Sequence, residues 1–308
     1  MKKLVLIDGN AIMHRAFHAL PPLTTPKNEP IGAVYGFTSM LLKVIEDLNP
    51  DYIFVCFDRK EPTFRKKLSK DYQAHRPETD TNLIPQFTKV KHLLKALNIP
   101  VYEKKGFEAD DLIGTISHSV ISHRSLAISH QLIDEVIVVT GDRDLLQLVN
   151  DKVKVYLPIK GLSQAKLMDK KDVFKMFGVT PKQVVDYKAL IGDQSDNYKG
   201  VGGIGPKIAS NLLQKYNSLE NIYEHLDELP KGIKQKLKKD KNSALLSQKL
   251  AQIVNDVPIK IKKFQKWDPC SSDVKKILDE FGFKTLEQRI SKLSKKQISE
   301  NQKKLFNI

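Results

Sequence analysis

Three carboxylates crowd the segment 106–114, GFEADDLIG. Gly106 precedes a predicted helix, in which Glu108 and Asp111 share a face and Asp110 lies beside them in the first turn. Acidic residues are favoured at a helix start, which accounts for one or two of the three. Because like charges packed together repel unless protons or cations neutralise them, the segment is a candidate cation site.

Aspartates also end three apolar runs that have the composition of buried strands. Asp8 closes LVLID, Asp58 closes YIFVCFD and Asp142 closes VIVVTGD, with Asp144 two residues further on. A single aspartate at a strand end is usually a turn former or a helix N-cap. The carboxyl ends of parallel strands, however, meet at one edge of a sheet, where ligands bind. Three strands with this feature indicate one shared site.

Clustered carboxylates of this kind are the ligands that hard divalent cations such as Mg²⁺ prefer. Two such ions about 3.5 to 4 Å apart activate water and stabilise the leaving oxygen when a phosphodiester is hydrolysed. The carboxylates therefore indicate metal-assisted chemistry on phosphate esters.

A fourth segment, 192–209, reads GDQSDNYKGVGGIGPKIA and combines two aspartates with a cluster of glycines. Glycines permit a close approach of the backbone, so that amide N–H groups and the N-terminus of the next helix can hold a phosphate. A plain turn is the simpler interpretation, but a hairpin flanked by helices in a basic chain resembles those that hold a DNA backbone. The candidate residues are Asp193, Asp196, Gly202, Gly203, Gly205 and Lys207.

An α/β fold is predicted to position these side chains. Short apolar runs alternate with helical patterns up to about residue 170, which predicts a central, mostly parallel sheet flanked by helices. Only helical patterns follow. We expect an α/β domain at 1–170, a helical nucleic-acid-binding region at 171–258 and a basic extension at 259–308. The Lys-, Gln- and Ser-rich end of that extension is expected to be solvated or disordered.

The segment 59–91 looks like an excursion from the sheet. It is strongly basic, contains Pro62, Pro77 and Pro85, and carries aromatic side chains among its cations. A solvated surface helix and a nucleic-acid contact both account for this composition.

The charge balance of the whole chain points to a polyanionic partner. The 308 residues include 51 Lys and Arg against 36 Asp and Glu, a formal net charge of +15, which favours nucleic acid over an anionic membrane surface. Two distant cysteines, Cys56 and Cys270, indicate neither a disulfide scaffold nor a zinc site and fit a reducing cytoplasm. No signal peptide or membrane span is predicted, so a soluble protein is expected.

Together these motifs resemble the 5′-nuclease (flap endonuclease) family, most closely the N-terminal 5′–3′ exonuclease domain of bacterial DNA polymerase I. The fold implied is PIN-like, with 59–91 as a helical arch that a single strand passes through and 192–209 as a helix-three-turn-helix (helix-hairpin-helix) motif that holds duplex. The matching segments run in family order over about residues 4–258: LIDGN, RAFHALPPL, NEPIGAVYGF, VCFD, TFRKKLSKDYQAHRP, GFEADDLIG, TGDRDLLQLV and GDQSDNYKGVGGIGPKIA.

The resemblance implies a nuclease of replication and repair that uses two Mg²⁺ or Mn²⁺ ions. Its expected substrates are DNA with 5′ flaps or 5′ ends and RNA primers paired to DNA. It implies a first metal site at Asp8, Asp58, Glu108, Asp110, Asp111 and Asp142, a second at Asp144, Asp193 and Asp196, and Arg76 as a further catalytic residue. It implies nucleic-acid contacts at Arg15, Arg65, Lys66, Lys70, Tyr72, Gln73, Arg76, Gly202, Gly203, Gly205 and Lys207. Relatives also bind K⁺ at the hairpin. A bacterial, nucleoid-associated monomer, fused to or working with a DNA polymerase, completes the expectation.

One position departs from the family pattern. The arch usually carries a lysine after its tyrosine, whereas this chain has Gln73 after Tyr72. Glutamine donates a hydrogen bond but brings no charge, so weaker stabilisation of the transition state is expected. The alternative is a DNA-binding module of the same fold with weak or lost turnover. A Mg²⁺ phosphohydrolase for small substrates is a third reading, which leaves the hairpin unexplained.

Overall fold

The structure, a computed structural model, describes residues 1–122, 132–160 and 164–305. Its centre is a six-stranded sheet in the order β3-β2-β1-β4-β5-β6, parallel throughout except for the last pair, β5 and β6. The prediction of an α/β fold with a mostly parallel sheet is confirmed. The strands are β1 (Lys3–Asp8), β2 (Tyr52–Cys56), β3 (Val101–Tyr102), β4 (Glu135–Val139), β5 (Val153–Lys160) and β6 (Gln164–Met168).

Thirteen α-helices lie in the described part of the chain. They are α1 (Gly9–Ala19), α2 (Gly32–Leu48), α3 (Phe64–Leu68), α4 (Ile84–Ala96), α5 (Ala109–Ile121), α6 (Lys170–Phe177), α7 (Val184–Ile191), α8 (Pro206–Tyr216), α9 (Leu219–Glu224), α10 (Lys231–Lys239), α11 (Lys241–Ala251), α12 (Ser272–Phe281) and α13 (Lys284–Leu305). No helix among these described residues is both long and apolar enough to cross a membrane.

The strands are apolar on both faces because helices cover both faces. In β1, Leu4 and Leu6 join the core that includes α5, while Val5 and Ile7 join the core that includes α2. Successive side chains of a strand point to opposite faces, so a strand buried on both sides reads as a continuous apolar run. This is the pattern that identified β1, β2 and β4 in the sequence.

The strand order places a crevice between β1 and β4. From β1 the chain continues to β2 and β3 on one side of the sheet, then returns to β4 and β5 on the other side of β1. The connections that follow β1 and β4 therefore leave in opposite directions. In open α/β sheets, ligands bind outside the carboxyl ends of the strands at such a switch point.

The segment 59–91 is only partly an excursion from the sheet. It begins with the short helix α3, continues as turns and extended chain over 69–83, and then enters α4. Val90, Leu93 and Leu94 of α4 are buried in the same core as α2. The part of the predicted arch from Ile84 onward therefore belongs to the packed domain.

The C-terminal extension packs against the α/β domain. Ile261, Phe264 and Trp267 are buried, and Arg289 of α13 donates hydrogen bonds to Ser39 (3.0 Å) and Glu46 (3.2 Å) of α2. The expectation that the Lys-, Gln- and Ser-rich end is solvated or disordered is wrong for residues 284–294. There the buried Leu286 and Ile290 lie four apart, on one face of the helix.

Candidate active site

Asp8 closes β1 and caps α1 at the carboxyl edge of the sheet. Its carboxylate accepts hydrogen bonds from the Ala11 N–H (3.0 Å) and, across the switch point, from the Thr140 hydroxyl (2.8 Å). Burial raises the pKa of Asp8 from 3.8 to about 7; the bond from Ala11 opposes this rise, and the charge of Asp58 adds to it. The side chain is therefore both a structural cap and a member of a charged cluster.

Asp58 follows β2, and its carboxylate binds the first residue of α5. Its Oδ1 accepts a hydrogen bond from the Ala109 N–H (2.6 Å), and its own N–H donates to Asn10 Oδ1 (3.0 Å). Burial raises its pKa, although the bond from Ala109 opposes the rise. The N-terminus of α5 is thus fixed against the strand-end aspartate, which brings the acidic first turn to the switch point.

Asp110 lies among the other carboxylates. Within the residues that the structure describes, its side chain accepts no hydrogen bond. Its pKa is well above 3.8, first because the group is buried and then because of the negative charges of Asp142, Asp8 and Asp58. A partly buried carboxylate that lies among others and has no hydrogen-bond donor is suited to a cation or a proton.

Glu108 begins α5 and faces the arch segment. It accepts hydrogen bonds from the Thr63 hydroxyl (2.9 Å) and the Tyr72 hydroxyl (3.1 Å). Burial raises the pKa of Glu108 to about 7, against the opposing charge of Arg65.

Asp142 and Asp144 occupy the loop after β4. The Thr140 hydroxyl accepts from the Asp142 N–H (2.9 Å), and Asp142 Oδ1 accepts from the Asp144 N–H (2.8 Å). Burial raises the pKa of Asp142, and burial with the charge of Asp142 raises that of Asp144 to about 7. The loop therefore holds two carboxylates close to each other and to Asp8.

Lys188 of α7 bridges Asp144 and Asp193. All three side chains are largely buried, and the two negative charges raise the pKa of Lys188 against the effect of its burial. For Asp193, burial is outweighed by the bond from Lys188, so its pKa is lowered. Lys188 belongs to none of the motifs described above; its place five residues before Asp193, on a predicted helix, is the only local signal for it.

Asp144, Asp193 and Asp196 form what is called here the second group of carboxylates. The arch segment, 59–91, contacts this group at Asp196. This carboxylate accepts hydrogen bonds from Arg76 (2.5 Å), Tyr72 (3.1 Å) and Gln73 (3.3 Å), and its backbone carbonyl accepts from the Gln73 N–H (2.8 Å). Arg76 keeps about half of its side chain exposed. It is thus placed both to hold Asp196 and to meet an anion from solvent.

Asp111 and Arg65 form a buried ion pair apart from these contacts. Both guanidinium branches donate to Asp111 at 2.8 Å, and Arg65 also donates to the carbonyls of Leu250 and Gln252. Asp111 further accepts from the Val254 N–H (3.0 Å). Its oxygens are thus occupied by the protein, and the geometry supports neither a metal-ligand role for Asp111 nor a nucleic-acid contact for Arg65.

Tyr72 is likewise unavailable as a surface contact. Only 2% of it is exposed, and its hydroxyl joins Glu108 to Asp196. Of the other predicted nucleic-acid contacts outside the hairpin, Arg15 and Lys66 are partly exposed and Lys70 is exposed.

The donor chemistry of the cluster fits hard divalent cations. Several partly buried carboxylates have raised pKa values, and one of them, Asp110, accepts no hydrogen bond within the described residues. A cation would stabilise these groups in their charged form. In the described ranges, no three acidic, histidine or cysteine side chains converge closely enough to form a ready-made metal site. The bonds of Lys188 and Arg76 explain this for the second group, since protein cations hold those carboxylates.

A cavity of about 720 Å³ opens between the arch and the second group of carboxylates. Its walls combine cations with acids, so it offers both phosphate-binding and metal-binding groups. The lining residues are His75, Arg76, Pro77, Gly141, Asp142, Arg143, Asp144, Lys188, Asp193, Gln194 and Ser195.

The glycine-rich hairpin lies next to this site and leads into α8. Gly203 has φ +76°, a conformation that favours glycine, and its carbonyl accepts from Lys236 (3.1 Å). The exposed Gly202 N–H donates to Asp240 (2.8 Å), while Gly205 caps α8 ahead of the exposed Lys207. The hairpin thus presents a helix N-terminus and lysines to solvent.

Raising the pH is expected to destabilise the metal-free protein. Asp8, Glu108 and Asp144 have pKa values of about 7 when folded, so between about pH 4 and 7 the unfolded state loses protons that the folded state keeps. We expect Tm in EDTA to fall by about 5 °C or more from pH 5.5 to 8, and Mg²⁺ to restore it at pH 8. Thermal unfolding measures this, with Asp110→Asn as the comparison in which the fall is smaller. A Tm that is flat or rising in EDTA would contradict the raised pKa values.

Family models cover most of the chain. The model described as "5'-3' exonuclease, N-terminal resolvase-like domain" matches residues 3–178, and "5'-3' exonuclease, C-terminal SAM fold" matches residues 179–276.

Similar proteins fall into two groups by length. DNA polymerase I of Caldicellulosiruptor bescii is 40% identical over 294 residues, which cover 94% of this chain and 33% of that protein. A 5'-3' exonuclease of Aquifex aeolicus is 35% identical over 295 residues, which cover 95% of this chain and 96% of that protein. The chain thus spans about a third of the polymerase relatives and almost all of the Aquifex exonuclease.

Solved structures share the fold. The bacteriophage T5 flap endonuclease, in a complex with DNA and metal ions, matches with a TM-score of 0.65 at 19% identity, over 94% of this chain and 97% of that one. The catalytic core of Rad2 with DNA substrate matches with a TM-score of 0.59 at 14% identity, over 95% and 91%. With two family models in succession and a relative of equal length, the chain belongs to the 5′–3′ exonuclease family.

Proposed function

We propose that this chain is a structure-specific 5′–3′ exonuclease and 5′-flap endonuclease that hydrolyses phosphodiester bonds of DNA and of RNA primers paired to DNA. The observation that carries the proposal is the group of buried and partly buried carboxylates at the switch point, which opens into a cavity lined by Arg76 and Lys188. Relatives named 5'-3' exonuclease support the same activity.

Two Mg²⁺ or Mn²⁺ ions are the proposed cofactors, held by two groups of carboxylates. The first comprises Asp8, Asp58, Glu108, Asp110 and Asp142, and the second comprises Asp144, Asp193 and Asp196. When bound, the ions supply an activated water and charge stabilisation at the leaving oxygen. Asp111 is left out because its ion pair with Arg65 is enclosed in the protein, whereas the cations that contact Asp144, Asp193 and Asp196 line the cavity.

The chain's own cations have separate roles in this proposal. Arg76 is half-exposed at the mouth of the cavity, where its guanidinium can hold the phosphate that will be cut. Lys188, which lines the same cavity, neutralises Asp144 and Asp193 and so allows these carboxylates to lie close together. A K⁺ ion at the hairpin, together with Gly202, Gly203, Gly205 and Lys207, is proposed to hold duplex phosphates.

A wider setting follows from the relatives. We propose a monomer in the bacterial cytoplasm, associated with the nucleoid, that acts in replication and repair and is fused to or works with a DNA polymerase. Relatives named DNA polymerase I, of which the chain spans about a third, support this link.

A 5′-labelled flap duplex tests the activity. We expect Mg²⁺-dependent release of the flap strand near the junction, shorter products from the 5′ end of a nicked duplex, and no cutting of a closed circular duplex. No cleavage with either Mg²⁺ or Mn²⁺ would refute the proposal.

Replacing Gln73 with lysine is expected to raise the single-turnover cleavage rate by about tenfold. Gln73 already donates to Asp196 through its side chain (3.3 Å) and its backbone (2.8 Å), so Gln73→Lys places a charge beside Arg76. A charge-assisted hydrogen bond is about twice as strong as a neutral one, and about 1.4 kcal/mol is tenfold in rate.

The control for this change is Ala74→Lys, which adds the same charge to an exposed neighbouring position. The alternative function, a DNA-binding module without turnover, rests on Gln73 alone. It gains support if the wild type binds flap DNA without cutting it and Gln73→Lys turns cutting on. Equal rates for wild type and Gln73→Lys would show that this position does not limit the reaction.

A further inference from the structure

The hydroxyl of Tyr198 is buried without a hydrogen-bond partner. The residue is 7% exposed, and Tyr198 Oη finds no partner in the described part of the chain. Backbone bonds to Asp193 in both directions (2.9 and 3.0 Å) fix the residue, and its ring packs with Tyr72, Val185 and Leu250. A buried tyrosine hydroxyl usually finds a partner, and leaving one unpaired costs about 1–3 kcal/mol.

Tyr198 adjoins the second group of carboxylates. Its backbone is bridged to Asp193, and its side chain lies in the same cluster as Tyr72, whose hydroxyl is 3.1 Å from Asp196. Burial and then the charges of Asp144, Asp193 and Asp196 raise the pKa of Tyr198, which agrees with this position. Within the described residues none of the three accepts its hydrogen bond; Lys188 contacts Asp144 and Asp193, while Arg76 contacts Asp196.

Two other buried tyrosines are paired. The Tyr72 hydroxyl lies 3.1 Å from both Glu108 and Asp196 and can donate to either, and Tyr216 donates to Glu228 (3.2 Å). The unpaired hydroxyl is therefore specific to Tyr198 among these three. A polar atom that is satisfied neither by solvent nor by protein next to carboxylates indicates a group that arrives with a ligand.

We propose that Tyr198 is a positioning residue whose hydroxyl hydrogen-bonds a water molecule in the hydration shell of the divalent cation held by Asp144, Asp193 and Asp196. The inference rests on the proposed function. Mg²⁺ and Mn²⁺ sites of few carboxylates retain water ligands, and a phenol oxygen can accept a hydrogen from such a water while its own hydrogen donates to a carboxylate. Groups that orient a metal's ligands in this way change metal affinity by about 10- to 100-fold.

Tyr198→Phe removes this one atom and tests the role. We expect Mn²⁺ affinity, measured without DNA by the electron paramagnetic resonance of free Mn²⁺, to weaken about tenfold. Thermal stability in EDTA should be unchanged or higher, because an unpaired hydroxyl is removed. In cleavage assays the Mg²⁺ requirement should rise while the rate at saturating Mg²⁺ is largely kept.

Tyr216→Phe is the matched control, since it removes a paired hydroxyl outside the carboxylate group. It should lose some stability in EDTA and keep the wild-type Mn²⁺ affinity. Two results would overturn the inference and assign the hydroxyl to a structural water. One is a Mn²⁺ affinity of Tyr198→Phe equal to that of the wild type. The other is a loss of stability of Tyr198→Phe in EDTA similar to that of Tyr216→Phe. If the wild type itself neither binds Mn²⁺ nor cuts a flap, the proposed function fails and the inference fails with it; wild-type cutting with an unaffected Tyr198→Phe refutes the inference alone.

Discussion

Asp142→Asn is expected to lower the single-turnover rate of flap cleavage by about 10³-fold while the protein stays folded. Cations in such sites supply several kcal/mol of charge stabilisation, and each 1.36 kcal/mol is tenfold in rate. Asparagine retains an oxygen that can accept from the Asp144 N–H, the bond that Asp142 makes at 2.8 Å, but it removes the charge. The substitution therefore separates the geometry of the loop from its electrostatics.

Stability provides the internal check on this first prediction. Burial raises the pKa of Asp142, so the charged form is disfavoured there and its removal should leave Tm in EDTA unchanged or higher at pH 8. Binding to flap DNA should persist through the hairpin and the arch. Asp151→Asn, an exposed carboxylate paired with Lys170, is the control and should cut at the wild-type rate. Near-normal cutting by Asp142→Asn would remove this residue from the proposed metal ligands.

Arg65→Met is expected to lower the free energy of unfolding by about 3–5 kcal/mol, because removing one partner of a buried ion pair leaves the other charge uncompensated. Arg65 is 2% exposed and makes four hydrogen bonds, two to Asp111 and two to backbone carbonyls of the segment 250–252. The substitution would leave Asp111 charged and buried and two carbonyls without their donor. Urea unfolding at constant pH measures the loss.

Two further variants define the cause. Arg65→Met combined with Asp111→Asn should recover part of the stability, since the uncompensated charge is removed and the amide oxygen can still accept from the Val254 N–H. Arg59→Met removes an exposed arginine that pairs with Glu61 and should change stability by less than about 0.5 kcal/mol. If Arg65→Met were as stable as wild type but bound flap DNA poorly, the ion pair would contribute little to stability. Arg65 would then be a nucleic-acid contact, as the resemblance implies.

Protein cations dominate the organisation of this site. Lys188 bridges two carboxylates, Arg76 holds a third and Arg65 holds a fourth. Two of these cations differ in exposure: Arg65 is enclosed, whereas Arg76 borders the cavity. An enclosed arginine stabilises the fold at the base of the arch, while one at the cavity mouth can exchange a carboxylate for a phosphate.

Sequence alone identified β1, β2 and β4 and the carboxylates that follow them, but it did not identify β3, β5 or β6. Apolar runs such as YIFVCFD are local signals, and a strand-end aspartate reaches the carboxyl edge of a parallel sheet wherever its strand is placed. The acidic start of α5 was visible for the same reason, because a helix start depends on a few neighbouring residues. The expected α/β core and the cluster at its edge follow from these short-range rules.

Only the tertiary structure decided which carboxylates are available. Arg65 meets Asp111, Lys188 meets Asp144 and Arg76 meets Asp196 across long stretches of sequence, so no local pattern tells a paired acid from an open one. The unpaired hydroxyl of Tyr198 was hidden in the same way, because burial depends on what packs around the ring. Residue type and local spacing determined where charge accumulates in this protein, and packing between distant segments determined which of those charges remain open to a metal or a phosphate.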